Sequence, residues 1–287
     1  MPIQLIAMDI DGTLLDSRAR LPEENARAIA EAAARGIEIV IVTGRRFDFA
    51  RSTAEALAGD LHLIVNNGAL IKSKSGATHY RMLLPVAVAR QALDATPGFW
   101  REAAVVFDRS AKNQLFFAHV DFDDPVRGPY FRRNREFIAE ASPLTACLNG
   151  EDPIQVMYAG PCATIRAAMR ALEALPLAGE FSLSLAEYEH RNLSILDVLQ
   201  RGVTKGAGLR EWARQRGIPR ENVMAIGDNW NDREMLEFAG LPIVMANSVA
   251  ELKSRGWRVT LSNDECGVAH AIRAYALNGL DRGTGAS

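Results

Sequence analysis

The segment Asp9-Ile10-Asp11-Gly12-Thr13 sets two carboxylates two residues apart, beside a glycine and a hydroxyl. Carboxylates this close repel each other in a core, unless a hard cation binds them or one carries a proton. Gly12 lets the chain turn sharply away. Taken alone, the segment also suits a solvated acidic turn at a strand end. Thr43-Gly44-Arg45 offers a hydroxyl and free backbone N–H groups, which hold anionic oxygens well. A threonine there is equally suited to capping a helix. Lys205 falls at the start of a predicted helix, where the macrodipole is unfavourable to a cation. An anion nearby would resolve that conflict, and so would a plain solvated loop. Gly227-Asp228-Asn229-Trp230-Asn231-Asp232 adds two more carboxylates and a turn glycine. Asp228 has the chemistry of a metal ligand, and Asn231 that of a phosphate donor or a partner to Asp232. The alternative is an Asx-rich turn.

Each of these segments follows or borders a predicted strand end. Ile3–Met8 reads as a buried strand. A helix is predicted from Pro22, with Ala26, Ile29, Ala30 and Ala33 forming one apolar face and Gly36 stopping it. The β-branched run Ile37–Val42 reads as a parallel strand covered on both faces. A helix over Phe47–Leu57 and a strand over Leu61–Val65 complete a βαβαβ pattern. The same grammar returns late in the chain. A helix is predicted over Lys205–Arg216, with Leu209, Trp212 and Ala213 on one face. The strands Val223–Ile226, Pro242–Met245 and Arg258–Leu261 follow, interleaved with helices. In between, helices near Val86–Ala95, Val126–Ile138 and Ala163–Leu175 mix with strands, as in an α+β insert. The predicted architecture is therefore α/β: a doubly wound, Rossmann-like parallel sheet from residues 1–83 and 191–287, interrupted by an inserted α+β cap over 84–190.

In one parallel sheet, ligands bind beyond the carboxyl ends of the strands. The four segments can thus converge on a nucleophile, an acid, a hydroxyl, a cation and metal ligands. Phosphate ester hydrolysis needs that set, since its uncatalysed rate calls for accelerations of up to ~10²¹. Capture by a carboxylate splits the displacement into two easier steps. A magnesium ion and Lys205 would neutralise charge on the transferring group.

Composition narrows the classes. The chain has 287 residues, 48% of them apolar, enough for a large domain and a smaller one. Its formal net charge of -2 gives no field for nucleic acid or an anionic membrane. Aromatics are sparse and form no basic-aromatic stripe, which argues against nucleic-acid binding. Cys147, Cys162 and Cys266 are scattered, with no CxxC, as expected of a reducing compartment. With no signal-peptide pattern and no apolar stretch near ~20 residues, a cytoplasmic location is expected. No feature sets an oligomeric state.

The four motifs, in this order, resemble those of the haloacid dehalogenase-like phosphatases, and the Cof-like sugar-phosphatase branch fits best. Asn66-Asn67-Gly68-Ala69 is similar to that branch's hairpin after the third strand. Leu196-Asp197-Val198 with Gly202-Val203-Thr204-Lys205-Gly206 is similar to its lead into the lysine. The resemblance spans almost the whole chain, including an insert of the right length. It implies that Asp9 is the nucleophile and becomes an aspartyl-phosphate. Asp11 would protonate the leaving oxygen and then activate water. Magnesium would be held by Asp9, the Asp11 backbone carbonyl and Asp228, with Asp232 in support. Thr43, Gly44, Lys205 and Asn231 would hold phosphoryl oxygens. The insert would be a mobile cap that contacts the leaving group. The implied partner is a small phosphorylated metabolite, by default a sugar phosphate, with nucleotides, flavin mononucleotide or pyridoxal phosphate as other choices.

Two positions depart from the pattern: Trp230 is bulky for its loop, and Asp197 stands where a glutamate is common. Phe131-Arg132-Arg133-Asn134-Arg135 reads as a solvated helix face, and His190 with Arg191 as a hinge or surface feature. Two other functions use related parts. A phosphoacceptor signalling module also pairs an acidic cluster with a Thr and a Lys, but needs neither Asp11 nor a large insert. A phosphotransferase or phosphomutase on the same fold would pass the group to a hydroxyl instead of water.

Overall fold

The computed structural model describes residues 2–277, apart from Val126 and the side chain of His190. In chain order the strands are β1 (Leu5–Met8), β2 (Glu38–Val42), β3 (His62–Val65), β4 (Leu70–Ser73), β5 (Thr78–Arg81), β6 (Ala103–Val106), β7 (Leu115–Phe117), β8 (Ile138–Glu140), β9 (Gln155–Gly160), β10 (Phe181–Tyr188), β11 (Leu193–Gln200), β12 (Val223–Gly227), β13 (Leu241–Val244) and β14 (Arg258–Val259). They fall into two compact units, one built from the chain up to Arg81 and again from Thr204, the other from Met82–Val203.

The first unit holds an eight-stranded sheet in the order β14-β13-β12-β1-β2-β3-β4-β5. It is parallel from β14 to β3 and antiparallel beyond. β1 lies in the middle: Met8 faces Ile226 on one side and Ile41 on the other. Strand order runs outward from β1 in one direction and from β12 in the other, so a topological switch point falls between them. Crevices at such points are where open α/β sheets bind ligands. β1 and β12 are buried along their whole length. Burial on both faces is why these strands read as unbroken apolar runs instead of alternating patterns.

Helix Glu23–Ala34 forms as expected, and Gly36 follows it with φ +80°. Its buried face is not the predicted one. Asn25, Ala28, Ile29 and Ala32 point inward, while Ala26 and Ala33 do not. Alanines on several faces left the periodicity ambiguous. A buried asparagine, paired to backbone, decides which face is inside. Helix Lys205–Arg216 keeps its predicted ends and buries Leu209, Trp212 and Ala213. Its cap is Thr204, whose hydroxyl accepts from Ala207 N–H at 3.0 Å, and Gly217 ends it at φ +65°.

The second unit is a six-stranded sheet, β10-β11-β9-β6-β7-β8, antiparallel except for the β7–β8 pair. Helices Val86–Asp94 and Cys162–Glu173 contribute Ala89, Leu93, Ile165 and Leu172 to one core with Val105, Val156, Tyr158 and Leu196. The unit extends to Val203, not to His190 as the sequence suggested. The reason is β11, which pairs with β9 and β10 along its length and so belongs to this sheet. The helix expected over Val126–Ile138 is also shorter, running over Gly128–Arg133, with Val126 outside the described residues. Buried Asn134 bonds back to the Tyr130 carbonyl at 2.8 Å, and a turn returns the chain into β8 against β7. No described helix is long and apolar enough to cross a membrane.

Candidate active site

Asp9 leaves the carboxyl end of β1, with its N–H bonded to the Ile226 carbonyl at 3.1 Å. The side chain is buried, and Lys205 Nζ donates to its Oδ1 at 2.6 Å. The same ammonium donates to Asp232 Oδ1, also at 2.6 Å. Asp232 is fully buried, and its other oxygen accepts the N–H groups of Asp228 and Asn229, each at 3.0 Å. Asp228 in turn accepts from the Thr13 hydroxyl at 2.7 Å. Two buried carboxylates thus compensate a lysine that the helix N-terminus would otherwise repel.

The charges do not balance. Burial, then the neighbouring Asp232 and Asp11, push the Asp9 carboxyl up to about 7 against the pull of Lys205. Burial, with Asp232 and Asp9 beside it, holds Asp228 well above the ordinary carboxylate range. For Lys205, burial works against the charge, but Asp232 and Asp9 outweigh it and keep the amine firmly protonated. Oxygens of Asp9, Asp228 and Asp232 all lie within 4.8 Å of one another. An all-oxygen donor set with surplus negative charge fits a hard divalent cation, which takes oxygen ligands and relieves the repulsion.

Asp11 is held apart from this cluster. Arg45 grips it in a fork, Nε to Oδ2 at 2.7 Å and Nη2 to Oδ1 at 2.5 Å. The second motif is therefore tied to the first through Arg45, a residue to which the sequence alone assigns no role. The Thr43 hydroxyl accepts from the Arg45 N–H at 3.1 Å, so it stabilises the turn that presents the guanidinium. Gly44 lies against Asn67: a Cβ there would stand 3.0 Å from the amide oxygen. Asn231 sits half-buried in the turn Trp230–Asp232 that carries Asp232. Trp230 is 45% exposed and flanked by the guanidinium groups of Arg233 and Arg255, 5.2 and 5.6 Å from its ring centroid. Asp197 belongs to the second unit, where it accepts from Gln155 Nε2 at 2.6 Å.

Two glycines are dictated by this packing. Gly68, in the Asn66-Asn67-Gly68-Ala69 segment, has φ +103° and comes so near the Thr204 carbonyl that a Cβ would sit 2.2 Å from it. That segment is thus pressed against the residue that precedes Lys205. Gly12 has φ +83°, and a Cβ there would lie 2.4 Å from Asp228 Oδ2. Gly12→Ala is expected to displace Asp228 and abolish most turnover, with about 1–2 kcal/mol of left-handed backbone strain as well. Melting curves and rates of the purified variant check this; wild-type rates would contradict it.

A family model for haloacid dehalogenase-like hydrolases matches residues 6–272. The chain belongs to that family. Among curated relatives, a putative phosphatase of Streptococcus pyogenes is 29% identical, covering 97% of this chain and all of its own length. The 5-amino-6-(5-phospho-D-ribitylamino)uracil phosphatase YcsE of Bacillus subtilis is 30% identical, with 96% of each chain covered. Among solved structures, a haloacid dehalogenase-like hydrolase from B. subtilis is 26% identical and superposes with a TM-score of 0.79, covering 94% of this chain and 99% of that one.

Proposed function

We propose that this hydrolase is a magnesium-dependent, cytoplasmic phosphatase of small phosphate monoesters, with Asp9 as nucleophile. The observation that carries the reading is the buried trio Asp9, Lys205 and Asp232, with half-buried Asp228 beside it, at the switch point of the sheet. The names of full-length relatives support it, YcsE among them, as does a phosphoglycolate phosphatase of Methanothermobacter thermautotrophicus.

An Asp9 oxygen attacks phosphorus and the ester oxygen departs, leaving an aspartyl-phosphate. The departing oxygen needs a proton, and Asp11 is the second carboxyl group in the same segment. To give that proton Asp11 turns out of the Arg45 fork, since a carboxylate gripped by a guanidinium only accepts. It then takes a proton from the water that cleaves the acyl phosphate, releasing inorganic phosphate and restoring Asp9. Lys205 and Asn231 bear on the phosphoryl oxygens, with Thr43 and Gly44 shaping the adjoining turn. Asp9, the Asp11 carbonyl and Asp228 would hold the metal, and Asp232 fixes Lys205. Magnesium, when bound, supplies positive charge to the transferring group. A sugar phosphate or a related metabolite is the favoured substrate class.

A panel of sugar, nucleotide, flavin and pyridoxal phosphates, assayed with magnesium and with chelator, tests the reading. Phosphate release from at least one ester is expected with magnesium, falling to background when EDTA removes divalent ions. Undiminished turnover in EDTA would take the metal out of the mechanism.

A further inference from the structure

The loop that follows Asp9 folds back on itself, with the N–H groups of Leu14 and Leu15 both bonded to the Ile10 carbonyl. Three of its own carbonyls point outward, and each meets an asparagine amide. Asn25 Nδ2 donates to the Leu14 carbonyl at 3.0 Å, Asn263 Nδ2 to that of Leu15 at 2.9 Å, and Asn247 Nδ2 to that of Gly12 at 2.8 Å. Asn25 and Asn263 are buried, and Asn25 also accepts from Ala269 N–H at 2.9 Å. They act as scaffold. Asn247 differs: it is exposed, just beyond β13, and its Oδ1 accepts the Asn263 N–H at 2.9 Å.

Gly12 is obligatory at φ +83°, yet a glycine is also the freest joint in a chain. It separates Asp11 from Thr13, whose hydroxyl is bonded to Asp228. Because the peptide unit is planar, holding the Gly12 carbonyl sets the plane of the whole Gly12–Thr13 peptide. We infer that Asn247 is a positioning residue for the acid–base carboxylate: by gripping the Gly12 carbonyl it removes the freedom that the glycine introduces beside Asp11. This rests on the phosphatase reading above.

The discriminating measurement compares two esters at saturating magnesium. p-Nitrophenyl phosphate has a leaving group that departs with little help from a proton, whereas the best alkyl ester of the panel releases an alkoxide that needs one. In Asn247→Ala, kcat for the alkyl ester should fall by about 10- to 100-fold, the range that a misplaced catalytic group produces. The aryl ester should fall by a clearly smaller factor, with KM and melting temperature near wild type. Asn247→Asp keeps the acceptor for Asn263 and loses the donor to Gly12, so it should show the same split. Equal losses on both esters, with or without a lower melting temperature, or no loss at all, would overturn the inference. So would a split in Asn247→Ala that Asn247→Asp lacks. Asp9→Asn run alongside separates the two claims: if it retains turnover, the site reading itself fails.

Discussion

Asp9→Asn should lower turnover by roughly 10⁴-fold or more, because removing the proposed nucleophile would eliminate the covalent route and leave only binding and electrostatic effects. The fold should survive. Asp9 is buried, and its carboxyl sits at about 7 in place of 3.8. Its folded value therefore lies above its unfolded one, and the native state holds the extra proton between them. Stability consequently falls as pH rises through that window, and the ionised form costs stability above it. An amide carries no such cost and still accepts from Lys205 through its oxygen. The variant should melt no lower than wild type at pH 8 in EDTA, and magnesium should raise its melting temperature less. Differential scanning fluorimetry beside rate measurements checks both halves. A correctly folded variant with wild-type turnover would remove Asp9 from its assigned role.

The second large effect is expected at Lys205. Lys205→Met keeps the bulk of the side chain and deletes the only cation bonded to Asp9 and Asp232 among the described residues. Breaking a buried pair by taking one partner is far more damaging than replacing both, since the survivors remain charged and dry. A loss of about 3–5 kcal/mol is expected at pH 8 without divalent ions. Turnover should fall with it. The sign of the pH effect follows from Asp9: without the pull of Lys205 its carboxyl holds its proton more tightly in the folded state, so the deficit shrinks from pH 8 to pH 6. Magnesium should recover part of it by occupying the same charge. Denaturant midpoints at the two pH values, with and without magnesium, read these effects. A midpoint equal to wild type at pH 8 in EDTA would contradict the electrostatic account.

Much of this was legible in the sequence because the chemistry lies in short segments at strand ends. Asp9, Thr43 and Asp228 each stand within two residues of a predicted buried run, and a parallel sheet needs no further information to align such ends. Lys205 was legible as an anomaly, a cation at a helix start, and its partners explain it. What was not legible depends on pairing between distant segments. Thr13 reaches Asp228, 215 residues away, and nothing local in either marks the other. Arg45 stood in a quoted motif, but its fork onto Asp11 appears only when β1 and β2 lie side by side. Asn247 also follows a strand end, after β13, and that position was the one signal that could have drawn attention to it. The boundary drawn at 190, ahead of β11, failed for a related reason. An apolar run reveals that a strand is buried, not which sheet it joins.

The order of segments along the chain has a consequence for synthesis. β1 is made long before one of its two neighbours, β12, which begins only at Val223. At roughly 5–20 residues per second, a ribosome takes on the order of ten to forty seconds to bridge that gap. During this interval the hydrogen-bonding edge of Leu5-Ile6-Ala7-Met8 has no β12 to cover it, although every one of these residues is buried in the finished sheet. An open apolar edge is a template for pairing with the wrong chain. The inserted unit, complete by Val203, has all its own strands by then. The nascent protein therefore carries an open apolar edge at the very strand that leads into Asp9, until translation passes β12.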